Sequence, residues 1–176
     1  MKIVNQTLMF AALLAASACN QSTKKQQDTV KKDTTAVEAV NAQVADTVNT
    51  NNVFTAYIGL KDQLLKSDVE AIKTAAATLD GKLASIKGCS ETATLAHQIA
   101  TTNDIKAQRA AFLILSTDII ALVKGSSIEA STIYIDYCPM ADSGKGGYWL
   151  SLSKKIENPY FPEHMKECGQ VKEQIN

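Results

Sequence analysis

From about residue 52 to residue 125 the apolar positions step by three and four, the spacing of one helical face after another. The stretch NVFTAYIGLKDQLLKS sets Phe54, Tyr57, Ile58, Leu64 and Leu65 on a broad stripe. Ser67 and Glu70 then form an S-x-x-E capping signature. Behind it Val69, Ile72, Ala76, Leu79, Leu83 and Ile86 continue the pattern to Gly88, placed as a C-terminal glycine. A shorter helix is predicted from Glu91 to Thr101, with Leu95 and Ile99 inward. Asn103 suits the N-cap of the next helix, with Asp104 in its first turn. That helix runs to Gly125 and carries Ile105, Phe112, Leu115, Ile119 and Leu122. Regular helices on short connections predict an all-α fold: an antiparallel bundle of three long helices and one short one. Roughly 75 residues of bundle suffice for a modest core.

The pattern fails on both sides. Residues 20–50 hold no aromatic residue, leucine or isoleucine. Such a segment buries too little apolar surface to offset its ordering entropy and reads as a flexible tether. Val37, Val40, Val44 and Val48 nevertheless keep helical spacing, so a weak docked helix is the alternative. Beyond the bundle, Ile133, Ile135 and Tyr137 alternate with Tyr134 and Asp136, as in a short extended segment. Pro139 biases Cys138 toward extended backbone, and Gly144, Gly146 and Gly147 mark a loop. Pro162 and Gly169 bracket a short terminal helix. The C-terminal segment is therefore expected to be irregular, carrying its cysteines and methionines on the bundle.

The first residues, MKIVNQTLMFAALLAASAC, join one Lys2 to an apolar run and then to small residues ending at Cys19. This is the layout of a bacterial export signal, too short to span a bilayer. Small residues ending at a cysteine predict lipoprotein processing, with Cys19 acylated as the first mature residue; plain secretion is the alternative. The expected organisation is a signal peptide over 1–18, a tether over 19–51 and a helical domain over 52–176. The expected location is the bacterial envelope, lipid-anchored and facing the periplasm or the exterior. Charge is balanced at 18 basic and 18 acidic residues. No basic face is implied, and a nucleic-acid partner is not expected.

Three cysteines remain beyond Cys19: Cys89, Cys138 and Cys168. Met140 follows Cys138 by two residues, and Met165 precedes Cys168 by three. In a helix from Pro162, Met165 and Cys168 share a face, flanked by His164. In extended backbone Cys138 and Met140 point the same way. Folded together, these four sulfurs form a soft set that selects Cu(I) or Ag(I), with His164 as an additional candidate and the Trp149 ring as a cover. The competing reading is a Cys138–Cys168 disulfide, which closes roughly 31 residues and stabilises by about 3 to 4 kcal/mol. The methionines then fill gaps in a core. A reversible redox pair is a third possibility. His97 reads as a surface or packing histidine, and Cys89 as an inert thiol. GKGG lacks the spacing of a phosphate loop, and CPM is not C-x-x-C. Neither histidine has a local nucleophile or acid, so no enzyme is expected.

The spaced string YCPMA, GGYWLS, NPYF and MKECG, with FTAYIGLKDQLLKSDVEAIKTAAATL and QRAAFLILSTDIIALVKG upstream, resembles an uncharacterised helical domain family of envelope lipoproteins. The same domain is fused to copper/silver-efflux membrane-fusion proteins of the CusB type. The resemblance covers about residues 52–173. It implies heavy-metal handling, copper foremost, for sequestration or delivery to efflux, with a membrane-fusion protein as partner. It places Cys138, Met140, Trp149, Met165 and Cys168 at the matching positions, and His164 where a polar non-ligand is expected.

Overall fold

The computed structural model describes residues 34–130 and 132–175; the expected leader and the expected acylation site Cys19 lie outside them. Four helices come first: α1 (Thr34–Leu64), α2 (Val69–Leu83), α3 (Ser90–Thr101) and α4 (Ile105–Lys124). They pack in sequence, α1 on α2, α2 on α3, and α4 on both α3 and α1. The core includes Tyr57, Leu60 and Leu64 of α1, Ile72, Ala76, Leu79 and Leu83 of α2, Ala93, Ala96 and Ile99 of α3, and Phe112, Leu115 and Ile119 of α4. Each set repeats at the three-and-four spacing of a buried stripe. Among the described residues no helix is long and apolar enough to cross a membrane.

The caps fall one residue later than expected. Asp68 accepts from the Ala71 N–H (3.1 Å), and Asp104 from the Lys106 N–H (2.8 Å). A carboxylate accepts these orphan amides as well as the predicted Ser67 and Asn103 would. Ser67 instead takes a left-handed conformation (φ 59°) and gives its hydroxyl to Glu163.

The all-α expectation is overturned. The last fifty residues form β1 (Ile133–Cys138), a one-turn helix α5 (Ala141–Gly144), β2 (Gly147–Ser151) and β3 (Gln170–Ile175). The strands make an antiparallel sheet in the order β2-β1-β3, so the fold is mixed α/β with a small sheet. The register pairs Asp136 with Trp149, Tyr137 with Tyr148, and Cys138 with Gly147; β3 pairs along the other edge with a bulge at Ile135/Asp136. Only β1 alternates visibly in the sequence. GYWLS and QVKEQI become strands because β1 offers them backbone partners, a tertiary effect that local preference does not encode.

The helix expected between Pro162 and Gly169 is replaced by two successive turns. Met165 N–H donates to Phe161 O, and Cys168 N–H to Met165 O (both 3.0 Å). At the other end α1 begins at Thr34, so residues 34–51, expected as tether, are helical. Val48 is 52 % exposed, and among the residues whose side chains are described burial begins at Thr50 and Val53, where the aromatic and aliphatic pattern begins.

Tyr57 fastens the sheet to the bundle. Its hydroxyl pairs with Ser116 Oγ (2.8 Å) and accepts the Leu150 N–H of β2 (3.1 Å). Its ring stacks on Phe112 (5.3 Å between centroids). Phe112 continues to Tyr160 (6.0 Å), which meets Trp149 edge-on (5.8 Å). This aromatic chain runs from α1 through α4 to the underside of the sheet.

Candidate functional site

Cys138 ends β1 and is fully buried; Cys168 precedes β3 and is half-buried. The antiparallel pairing of β1 with β3 returns the chain to its start, and a side-chain hydrogen bond joins the two thiols. Both are free thiols in the structure. The Cys168 thiol titrates above its ordinary value, chiefly through burial and then through the Cys138 sulfur beside it. The thiolate is the nucleophile and the metal ligand, so the raised Cys168 thiol must give up its proton before it binds a metal or is oxidised.

Asn158 holds this end of the chain together. Fully buried, it donates its side-chain amide to the Cys168 carbonyl (2.9 Å) and accepts the Tyr160 N–H (2.9 Å). Its own N–H reaches the Lys166 carbonyl (2.7 Å). The motif NPYF is thus the buckle that places Cys168. From sequence it reads only as a turn signal, because a buried asparagine and an exposed one look alike there. Gly169 completes the approach. A Cβ there would lie 2.9 Å from the Tyr137 carbonyl and 3.1 Å from the Trp149 ring, so only glycine lets the chain pass between them.

The remaining expected residues scatter. Met140 is 54 % exposed at the N-cap of α5, because β1 stops at Cys138 and the chain turns through Pro139. The expectation that Cys138 and Met140 point the same way therefore does not hold. Met165 is half-buried and joined to Cys168 by the backbone turn described above. His164 is exposed and lines a groove shared with α4. Trp149 is fully buried and packs beside Gly169, the neighbour of Cys168, so it lies within the core. His97 lies on the surface 3.1 Å from Asp80. Cys89 sits before α3, its thiol raised by burial and by Asp118. Among the described residues no group of three or more His, Cys, Asp or Glu side chains is placed to hold a metal ion.

Sequence reasoning missed one residue of consequence. Asp136, read only as one position of an alternating extended segment, is fully buried. Its carboxylate oxygens and the indole N–H of Trp149 opposite it have no hydrogen-bond partner among the described residues. Burial raises the Asp136 carboxyl to about 7, with the buried Lys61 pulling the other way. Asp136 shares a face with Trp149 opposite it and lies close enough to Tyr57 and Lys61 of α1 to interact electrostatically with both.

Residues 53–131 match the family described as protein of unknown function (DUF3347).

The match covers the helices and ends before β1, so the thiol pair lies outside it. It carries no activity, ligand or location with it. Comparison with curated proteins and with solved structures returns no match.

Proposed function

We propose that the chain is an envelope lipoprotein, anchored through Cys19, that holds a soft monovalent metal ion, Cu(I) or Ag(I), between Cys138 and Cys168. One observation carries this reading: two thiols thirty residues apart in sequence meet beside the sheet, half-screened from water. Paired thiolates suit a soft ion that accepts few ligands, and the burial around them disfavours hard, hydrated cations. Met165, one turn from Cys168, is the nearest candidate for a third sulfur. Met140, at the exposed surface, suits a role in passing the ion to or from a partner. The protein would bind and hand over its ion, for sequestration or for delivery to an efflux membrane-fusion protein, without transforming a substrate.

A second reading takes the same pair as a disulfide in a partner-docking lipoprotein. It is favoured by the lack, among the described residues, of a third Cys, His or carboxylate beside the two thiols. Titration of the reduced full chain with Cu(I) against a competing chelator separates the two. Binding at one equivalent that is lost in both Cys138→Ser and Cys168→Ser supports the metal reading. Binding that is weak and indifferent to either change removes it. The mass of protein isolated without reductant, lower by two hydrogens if bonded, reports the disulfide directly.

A further inference from the structure

A groove lies away from the thiol pair, between α4 and the loops on either side of β2. It encloses about 620 Å³, within the range of small-molecule sites. Ala110, Leu113 and Ile114 of α4 form an apolar floor with Phe161, and Ile114 is 54 % exposed although it sits within a packed helix.

The charges around this floor do not cancel. Arg109 is spent on Glu163 (3.0 Å), Ser67 (2.7 Å) and the Pro159 carbonyl (3.1 Å). Asp142 is paired with Lys145 (3.4 Å). Lys106 and His164 also line the groove, and neither side chain has an ion-pair partner among the described residues. Lys106 stands in the first turn of a 20-residue helix, whose N-terminal end adds partial positive charge. The opposite wall is strained. Asp142 (φ 48°) and Ser143 (φ 56°) are consecutive left-handed residues, and neither is glycine. Strain of this kind persists where the surroundings enforce it, and it gathers at ligand clamps.

We infer that this groove binds a small amphipathic carboxylate, its head between Lys106 and His164 and its apolar body on Leu113, Ile114 and Phe161. A single anionic head matches the Lys106 ammonium, which has no ion-pair partner among the described residues, with the His164 ring as a neighbouring hydrogen-bonding group. An uncharged ligand leaves Lys106 unanswered. The site is independent of Cys138 and Cys168 and does not rest on the metal reading.

The test titrates octanoate into the reduced, metal-free full chain and follows backbone amide shifts. Saturable shifts centred on Lys106, Leu113, Ser143 and His164 are expected. Octan-1-ol should bind about tenfold more weakly, the worth of one charge-assisted contact. Lys106→Glu, an exposed change that leaves the core alone, should weaken octanoate by tenfold or more and leave octanol unaffected. Ile114→Asp should weaken both. The inference is overturned if the shifts do not saturate or spread over the whole surface. It is equally overturned if octanoate and octanol bind alike, or if Lys106→Glu has no effect on octanoate.

Discussion

Asp136→Asn isolates the largest electrostatic burden in the fold. The carboxyl sits fully buried on β1 opposite the Trp149 indole, without a hydrogen-bond partner among the described residues. Its proton affinity rises from the ordinary 3.8 to about 7, through burial opposed by Lys61. In the unfolded chain the group loses its proton near the ordinary value, while the folded chain keeps it until about 7. Between these points the folded state binds the extra proton, so stability falls as pH rises and levels off above the folded value. At about 1.36 kcal/mol for each tenfold change in proton affinity, the full loss is roughly 4 kcal/mol. That is a large share of the 5–15 kcal/mol typical of a domain. The neutral amide carries no such penalty. The variant should match the parent within about 1 kcal/mol near pH 4 and exceed it by roughly 4 kcal/mol near pH 8. Urea unfolding of both proteins with reductant present, at intervals from about pH 4 to pH 8, measures the difference directly. Parallel pH profiles, or a gap that widens toward acid, would refute the assignment of Asp136 as a buried, weakly compensated carboxyl.

Further outcomes follow from individual contacts. Gly146→Ala places a methyl group in the Tyr137 ring at a positive φ (93°), and it must break the Tyr137–Tyr148 pair (4.6 Å) or move the loop. A loss of about 2 to 3 kcal/mol in urea unfolding is expected, shrinking in a Tyr137→Ala background. Tyr57→Phe removes the acceptor of the buried Leu150 N–H and the partner of Ser116, and should lower stability by about 2 kcal/mol. Asn158→Ala leaves the Cys168 carbonyl and the Tyr160 N–H without the side-chain partner they use. It should speed amide exchange across residues 158–170 more than in α2 or α3, since it loosens the buckle and leaves the bundle intact. The Cys168 thiol, raised by burial and by Cys138, should alkylate more slowly than an ordinary cysteine at pH 7 to 8. Cys138→Ser should speed that reaction at Cys168, as followed by peptide mass.

The helical part of this protein was open to reading because its information is local. Phe54, Tyr57, Ile72, Leu79, Ile99, Phe112, Leu115 and Ile119 are all core residues, as a period near 3.6 requires. Gly88 takes a left-handed conformation (φ 89°), but α2 ends earlier, at Leu83 with Ala84 as its cap, so the expected C-terminal glycine lies in the turn before α3. The errors were of phase and context. Asp68 and Asp104 displaced Ser67 and Asn103 as caps because adjacent polar residues compete for the same amides. The valines before residue 51 joined α1 because a preceding turn can grow from a packed one.

The candidate site was partly open to reading. Composition and spacing singled out Cys138 and Cys168, and the structure brings these two together. The methionines and His164 were assigned by a helix and an extended turn that the fold does not contain, so their directions could not be foreseen. By itself the sequence determined the helices and their buried faces, because periodicity writes burial into every turn. Only the tertiary structure decided that three short segments form a sheet, that Asp136 is enclosed, and that Asn158 buckles Cys168 against Cys138. Each of these depends on partners far along the chain, and no local pattern records which backbone a strand will meet.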